Sequence, residues 1–281
     1  MSEAVSAALE EAVARLAAAG VERPWEEALR LLALALGTDR GGVLARRPDP
    51  LPGEAESRLA SFLERRQARE PLQYLTGEQE FHGLTLAVDR RVLIPRPETE
   101  EVVDALLGLD LPRGGTVADL GTGSGCIALA VKAARPDLRV LALDRSPDAL
   151  AVARANALRH RIELTLVQGD FAHPPRDWEG RLDAVVANPP YVAEAEWETL
   201  APEVRDHEPR GALVPGESGL EAYRVLIPAA RALLVPGGAL VLELGFRSAA
   251  PVQALAAAAG FRDLAVREDL RGIPRILVGR T

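Results

Sequence analysis

Only one cysteine, Cys126, occurs in 281 residues. A lone thiol cannot close an intramolecular disulfide, and it rules out a zinc centre of the multi-cysteine kind, so no metal is expected. Lysine is as scarce. Lys132 is the only one, so nearly all of the 33 basic residues are arginine. With heavy use of Ala, Leu and Pro, this points to a GC-rich genome; Arg in place of Lys is a weak sign of a hot habitat. Uninterrupted apolar runs of about 18 residues, the length a membrane-spanning helix needs, are missing because Arg or Glu breaks each candidate. The N-terminus lacks a basic stretch followed by an apolar one, so no signal peptide is expected and the protein is placed in the cytoplasm. A basic excess is missing too. The net charge of −8 argues against a dedicated nucleic-acid binder, which carries a basic face. What is there is ordinary for a globular chain, with 48% hydrophobic and 26% charged residues. The length suits one large domain or two and needs no disulfide or metal to secure a core.

Residues 1–70 read as helices. Val5, Leu9, Val13 and Leu16 recur at helical spacing between Glu3 and Ala19, and Gly20 stops the run. Pro24 suits a first turn, with Trp25, Leu29, Leu32 and Leu36 following before Gly37. Leu59, Phe62 and Leu63 mark a third helix from about Gly53 to Arg69. Its arginines (Arg58, Arg65, Arg66 and Arg69) suggest either a face for RNA or an acidic partner, or, more plainly, a solvated face paired with Glu54, Glu64 and Glu70. After Pro71, Leu72–Leu75 and Glu80–Val88 read as two short strands with a turn at His82-Gly83. The prolines of Ile94-Pro95-Arg96-Pro97-Glu98-Thr99-Glu100 delay the next helix until Pro97 or Thr99, from where it runs to about Leu107.

From Gly115 strands and helices alternate. Thr116–Leu120, Arg139–Leu143, Glu163–Gln168, Leu182–Ala187 and Ala239–Leu244 are apolar strand candidates. Cys126–Ala134, Pro147–His160, Leu220–Leu234 and Ser248–Ala259 are the helices. This alternation implies a parallel sheet covered on both faces, and Arg262–Arg267 with Ile273–Val278 gives it an antiparallel finish. The fold class is α/β, with a helical bundle in front, joined by a β-hairpin. The boundaries fall at residues 1–72, 73–95 and 96–281.

Asp119 and the loop Gly121-Thr122-Gly123-Ser124-Gly125 close the first strand and open a helix. The glycines let the backbone turn sharply and approach a ligand. Asp119 stands where a carboxylate can reach an ammonium group. The glycine spacing is not the Gly-x-Gly-x-x-Gly of a pyrophosphate site, which disfavours a nicotinamide dehydrogenase. Asp144, at the next strand end, suits two ribose hydroxyls. Asp170 and Phe171 at the third suit an adenine amino group and its face. Singly, Asp144 and Asp170 also read as caps and Phe171 as core. As a series on successive strand ends they favour S-adenosylmethionine, with S-adenosylhomocysteine as product.

Asn188-Pro189-Pro190-Tyr191 follows the strand Leu182–Ala187. Taken alone it is a polar turn, or a grip for a planar group that carries an NH2. The Asn188 side-chain oxygen and the Pro189 carbonyl offer two acceptors for the two NH2 hydrogens, and the prolines hold the carbonyl stiffly. Tyr191 offers a flat lid. These bonds strengthen as positive charge grows on nitrogen and aim its lone pair at a methyl group, so no dedicated base is needed. His207 reads as a hydrogen-bonded structural residue, and Trp197 with residues 202–216 as a border of the substrate opening.

With these residues in view, the C-terminal two-thirds resembles class I S-adenosylmethionine-dependent methyltransferases. More closely, the whole chain is similar to the release factor glutamine N5-methyltransferase family. The likeness lies in Pro71-Leu72-Gln73-Tyr74-Leu75-Thr76-Gly77, Glu80-Phe81-His82-Gly83, the Ile94–Glu100 stretch, the glycine loop and the tetrad, without departure in any of them. The tetrad is shared with DNA adenine methyltransferases, so the first three motifs are the more specific. The resemblance implies a seven-stranded, mostly parallel Rossmann-like sheet. It places donor contacts on Gly121–Gly125, Asp144, Phe171 and Asn188, and the substrate on Asn188–Tyr191. It implies methylation of the glutamine in the Gly-Gly-Gln loop of bacterial class-1 release factors, with the helical domain recognising the release factor. A monomer with no stable nucleic-acid or membrane partner is expected. The alternatives are an adenine N6-type nucleic-acid methyltransferase and a donor-binding adaptor without turnover.

Overall fold

In the computed structural model, which describes residues 4–269 and 271–281, the first part of the chain folds as helices. They are α1 (Val5–Ala18), α2 (Pro24–Leu36), α3 (Arg40–Ala45), α4 (Gly53–Gln67) and α5 (Leu72–Thr76). Glu3, the expected start of α1, lies outside the described residues. Leu9, Leu16, Leu31, Leu32, Leu59 and Leu63 meet in one buried core. Pro24 opens α2, and Gly37 ends it in the left-handed region at φ 64°. No periodic signal marks α3, whose six residues include Gly41 and Gly42; Asp39 caps it by accepting from the Gly42 amide at 2.7 Å.

Leu72–Leu75 is a helical turn, not the expected strand. A four-residue apolar run fits either period, and the core decides. Leu72 and Leu75 lie one turn apart and both enter the helical core. Of the arginines of α4, Arg58 and Arg66 differ from a solvated face, while Arg65 makes the expected pair with Glu70. Arg66 is buried and pairs with Glu27 at 2.6 Å, Arg58 donates to the Ala35 carbonyl at 2.6 Å, and Arg65 pairs with Glu70 at 2.7 Å.

A second unit comprises residues 78–200 and 208–281. It opens on a hairpin of β1 (Glu78–Phe81) and β2 (Leu84–Ala87), turning at His82 and Gly83, both at positive φ. That conformation gives a two-residue turn the strands' own twist. His82 is held in it by Glu100, which accepts its amide at 3.0 Å. Then follow α6 (Pro97–Leu107), β3 (Thr116–Leu120), α7 (Cys126–Ala134), β4 (Arg139–Asp144), α8 (Pro147–His160), β5 (Thr165–Gln168) and β6 (Leu182–Ala187). A short helix, α9 (Pro202–Arg205), belongs with residues 201–207 to the helical unit. There Glu203 accepts from Arg66 and Arg69, and the His207 ring bonds the Ala68 carbonyl at 3.0 Å. The chain ends with α10 (Glu221–Leu233), β7 (Leu234–Glu243), α11 (Ala249–Ala258), β8 (Arg262–Glu268) and β9 (Pro274–Arg280).

The seven strands lie in the order β5-β4-β3-β6-β7-β9-β8. Only β9 runs against its neighbours β7 and β8. Alternate residues serve opposite faces. Val117, Val186 and Val241 pack with α6 and α7 on one side, while Ala118, Val185 and Leu240 pack with α10 and α11 on the other. Burial on both faces is why these strands read as unbroken apolar runs. Among the described residues, no helix is long and apolar enough to cross a membrane.

Candidate active site

β3 and β6 are parallel neighbours, paired through Val117–Ala184, Ala118–Val185 and Asp119–Val186. The glycine loop leaves the end of β3 and the Asn-Pro-Pro-Tyr tetrad leaves the end of β6. Strand order reverses between them, with β4 and β5 on one side and β7 on the other. In open α/β sheets the crevice at such a reversal, beyond the carboxyl ends, is where ligands bind.

A cleft opens there. Of the residues singled out from sequence, Gly121, Gly123, Asp144, Asp170, Phe171, Asn188 and Pro190 line it. Gly121, Gly123 and Gly125 have φ of 83°, 55° and 83°, which L side chains rarely adopt. Asp144 organises the rim: its Oδ2 accepts from the Gly123 amide at 2.8 Å and its Oδ1 from the Ser146 amide at 2.9 Å. Each oxygen keeps a lone pair for a ligand. Asp170 accepts from the Ala172 amide at 2.9 Å, and the Phe171 ring lies against Gly121.

Asp119, Thr122, Ser124, Gly125, Pro189 and Tyr191 are not on the cleft wall. Asp119 is buried under the loop, where its Oδ2 accepts from the Thr122 hydroxyl at 2.6 Å and the Ala128 amide at 3.2 Å. Burial outweighs those two bonds and raises its carboxyl to about 7. Its Oδ1 is buried without a protein partner. Tyr191 is half-buried; its ring packs on Gly245, and its hydroxyl donates to Glu243 at 3.2 Å.

Several residues of the site escaped sequence reasoning. Leu93 and Arg145 also line the cleft, whereas Pro209 and Gly211, which line it too, belong to the stretch 202–216 expected to border the substrate opening. Trp197 stacks under Arg210. Asn156, fully buried, accepts from the Ala87 amide at 2.6 Å and donates to the carbonyls of Ala87 and Ser124 at 3.0 Å each. One side chain on α8 thereby ties the hairpin to the glycine loop. Glu243 ends β7 fully buried, accepting from Thr99 at 2.6 Å as well as from Tyr191. Burial raises it to about 7, although both hydroxyls favour its charged form.

The fold itself is that of a methyltransferase. A methyltransferase from Pyrococcus furiosus superposes with a TM-score of 0.53 over 70% of this chain and 89% of its own, at 19% identity. Residues 7–77 match the PrmC N-terminal domain, and residues 103–205 the methyltransferase small domain. Over nearly full length the chain is 48% identical to the release factor glutamine methyltransferase of Moorella thermoacetica, covering 95% of each chain. It is 43% identical to that of Geobacter sulfurreducens, covering 94% of this chain and 92% of the relative. This chain belongs to the release factor glutamine methyltransferase family.

Proposed function

We propose that this protein transfers a methyl group from S-adenosylmethionine to the side-chain amide nitrogen of the Gly-Gly-Gln glutamine in bacterial class-1 release factors. The observation that carries the reading is the meeting of the glycine loop and the tetrad in one cleft, at the ends of neighbouring strands, in a chain of this family. The residues fit the donor. Two left-handed glycines and two carboxylates at successive strand ends line the wall, with an aromatic face beside them. When bound, the donor supplies an electrophilic methyl group.

An amide nitrogen is a poor nucleophile because its lone pair is delocalised into the carbonyl. Asn188 Oδ1 and the Pro189 carbonyl accept the two NH2 hydrogens and favour a pyramidal nitrogen as charge develops on it. The fixed φ of Pro189 and Pro190 keeps this acceptor pair from rotating away. Tyr191, with its ring on Gly245 and its hydroxyl on Glu243, steadies the tetrad from behind the cleft. The methylated cationic amide is strongly acidic and loses its proton after transfer without a dedicated base. The helical domain recognises the release factor away from the glutamine, and the protein acts as a monomer in the cytoplasm, where its substrate works.

Mass spectrometry of a release factor incubated with the protein and donor tests this. One added methyl on the loop glutamine is expected. Asn188→Ala should abolish transfer while donor binding is kept. Methylation of DNA or ribosomal RNA in place of the release factor, or near-normal turnover by the Asn188 variant, overturns the reading.

A further inference from the structure

Behind the tetrad lies a buried chain of three hydrogen bonds that the reaction as described does not use. The Asn188 Nδ2 donates to Thr99 Oγ1 at 3.2 Å. Thr99 Oγ1 donates to Glu243 Oε2 at 2.6 Å. The Tyr191 hydroxyl donates to Glu243 Oε1 at 3.2 Å. Thr99 and Glu243 are each 2% exposed, so no solvent substitutes for either partner.

The proton count gives this chain a direction. Above the value of about 7 to which burial raises it, Glu243 is ionised and only accepts, so both hydroxyls that face it then donate to it. A threonine hydroxyl has a single proton. With that proton directed at Glu243, Thr99 can only accept from Asn188. The NH2 end of the Asn188 amide must therefore face Thr99, because the flipped amide would set two oxygens against each other with no hydrogen between them. The carbonyl end is left for the cleft, whose wall includes Asn188.

We propose that Thr99 and Glu243 are positioning residues that fix which end of the Asn188 amide meets the substrate, and that Glu243 locks Tyr191 in the same act. This rests on the proposed role of Asn188 as acceptor for the substrate NH2. Neither residue touches the reacting atoms; both act through the tetrad. A second buried tyrosine braces the arrangement. Tyr223 donates to the Glu243 carbonyl at 2.8 Å and accepts from the Gly245 amide at 3.2 Å, which holds the end of β7 in place.

The test, run at a pH above about 7 so that Glu243 is ionised, compares the wild-type protein with Thr99→Val, Thr99→Ser and Glu243→Gln. Valine keeps the threonine shape and removes the acceptor. Glutamine keeps the carboxylate shape but can donate, so it permits both orientations of Asn188. Thr99→Val is expected to lower kcat on the release factor by ~10-fold or more, as a misplaced reacting group does. KM and donor affinity should stay within about threefold, because ground-state binding is not what the amide orientation sets. Thr99→Ser should recover most of the rate, and Glu243→Gln should lose it as Thr99→Val does.

The side-chain amide of Asn188, assigned by its absence from the Asn188→Ala spectrum, gives a second readout by NMR. One of its two protons should be downfield and slow to exchange in the wild type and in Thr99→Ser, but not in Thr99→Val. A Thr99→Val protein with wild-type kcat and an unchanged Asn188 amide overturns the proposal, as does serine failing to restore what valine removes. Should Thr99→Val not fold, Glu243→Gln decides: wild-type kcat in that variant overturns the proposal. If the wild-type protein itself transfers no methyl to the release factor, the proposed function fails, and the NMR comparison alone decides the orientation.

Discussion

Asn156 provides a sharp test of how the donor loop is held. Its amide is fully buried and makes three bonds to main-chain groups: the amide and carbonyl of Ala87, and the carbonyl of Ser124. Asn156→Ala removes all three at once. Each buried polar group left without a partner costs about 1–3 kcal/mol. The Ala87 end of the hairpin is only half-buried, so water can reach part of the gap. The expected destabilisation of the methyltransferase unit is therefore roughly 3–5 kcal/mol, a large share of the ~5–15 kcal/mol that holds a typical domain. Urea unfolding with unchanged m-value is the assay. Donor affinity should fall in parallel, since Ser124 lies in the glycine loop. Asn156→Asp should be no better than alanine: it keeps an acceptor for the Ala87 amide but sets a buried carboxylate against two carbonyls. A loss below about 1 kcal/mol in Asn156→Ala would refute the argument, because that is less than one orphaned group should cost.

Three other perturbations follow from the same kind of accounting. At Gly245 a Cβ would lie 2.9–3.0 Å from the Tyr191 ring, so Gly245→Ala should displace the ring and lower turnover by ~10-fold with donor affinity kept, measured by steady-state kinetics and a binding titration. Glu243 is raised from an ordinary 4.5 to about 7 by burial, so the folded protein holds a proton there that the unfolded chain has lost. Its contribution is fully favourable below the unfolded value and falls as pH rises through about 7; unfolding at pH 5 and pH 8 should show Glu243→Gln lacking roughly 3 kcal/mol of that decline, and an equal slope in both proteins refutes this. In the helical unit Glu203 accepts from Arg66 at 3.0 Å and Arg69 at 2.7 Å, and Arg66 is 4% exposed. Glu203→Ala should destabilise that unit by about 2 kcal/mol by urea unfolding, less than a fully buried pair because Glu27 still holds Arg66 and Glu203 is partly solvated.

Much of the fold was legible because strands buried on both faces have no polar side to hide. Thr116–Leu120 and Leu182–Ala187 were bounded to the residue, as were Cys126–Ala134 and Pro147–His160. The misses share a cause, which is that tertiary context overrode a local signal. α3 contains two glycines and holds by its Asp39 cap. Leu72–Leu75 took the helical period because its leucines could reach the helical core. The short turns between Glu194 and Ala212 have no periodicity to read. In the site, the glycine loop, the strand-end carboxylates and the tetrad announced themselves, while the cleft-lining Leu93 and Arg145 and the buried Asn156 and Glu243 did not. Two signals were nonetheless present. Glu243 is a charged residue inside the apolar run Leu240–Leu244 of a strand with no solvent face. Asn156 falls on the same buried stripe of α8 as Ala149, Val152 and Ala153. A polar residue where the pattern demands an apolar one is buried for a partner.

That rule also explains why the stretch Ile94–Glu100 is so densely polar. Arg96 pairs with the buried Glu208 at 2.5 Å, and Glu208 also accepts from the Ile94 amide at 3.1 Å. Thr99 reaches Glu243 and Asn188, and Glu100 holds the His82 amide at the hairpin turn. Three consecutive tasks fall on one short segment: fixing the chain that follows the tetrad, orienting the tetrad, and closing the hairpin. The prolines at 95 and 97 make this possible, since they set the backbone direction before α6 begins. A tetrad on a strand end grips any planar amine in the same way. What separates one such site from another is the set of buried partners that decide where its acceptors point, and here that set converges on Thr99 and Glu243.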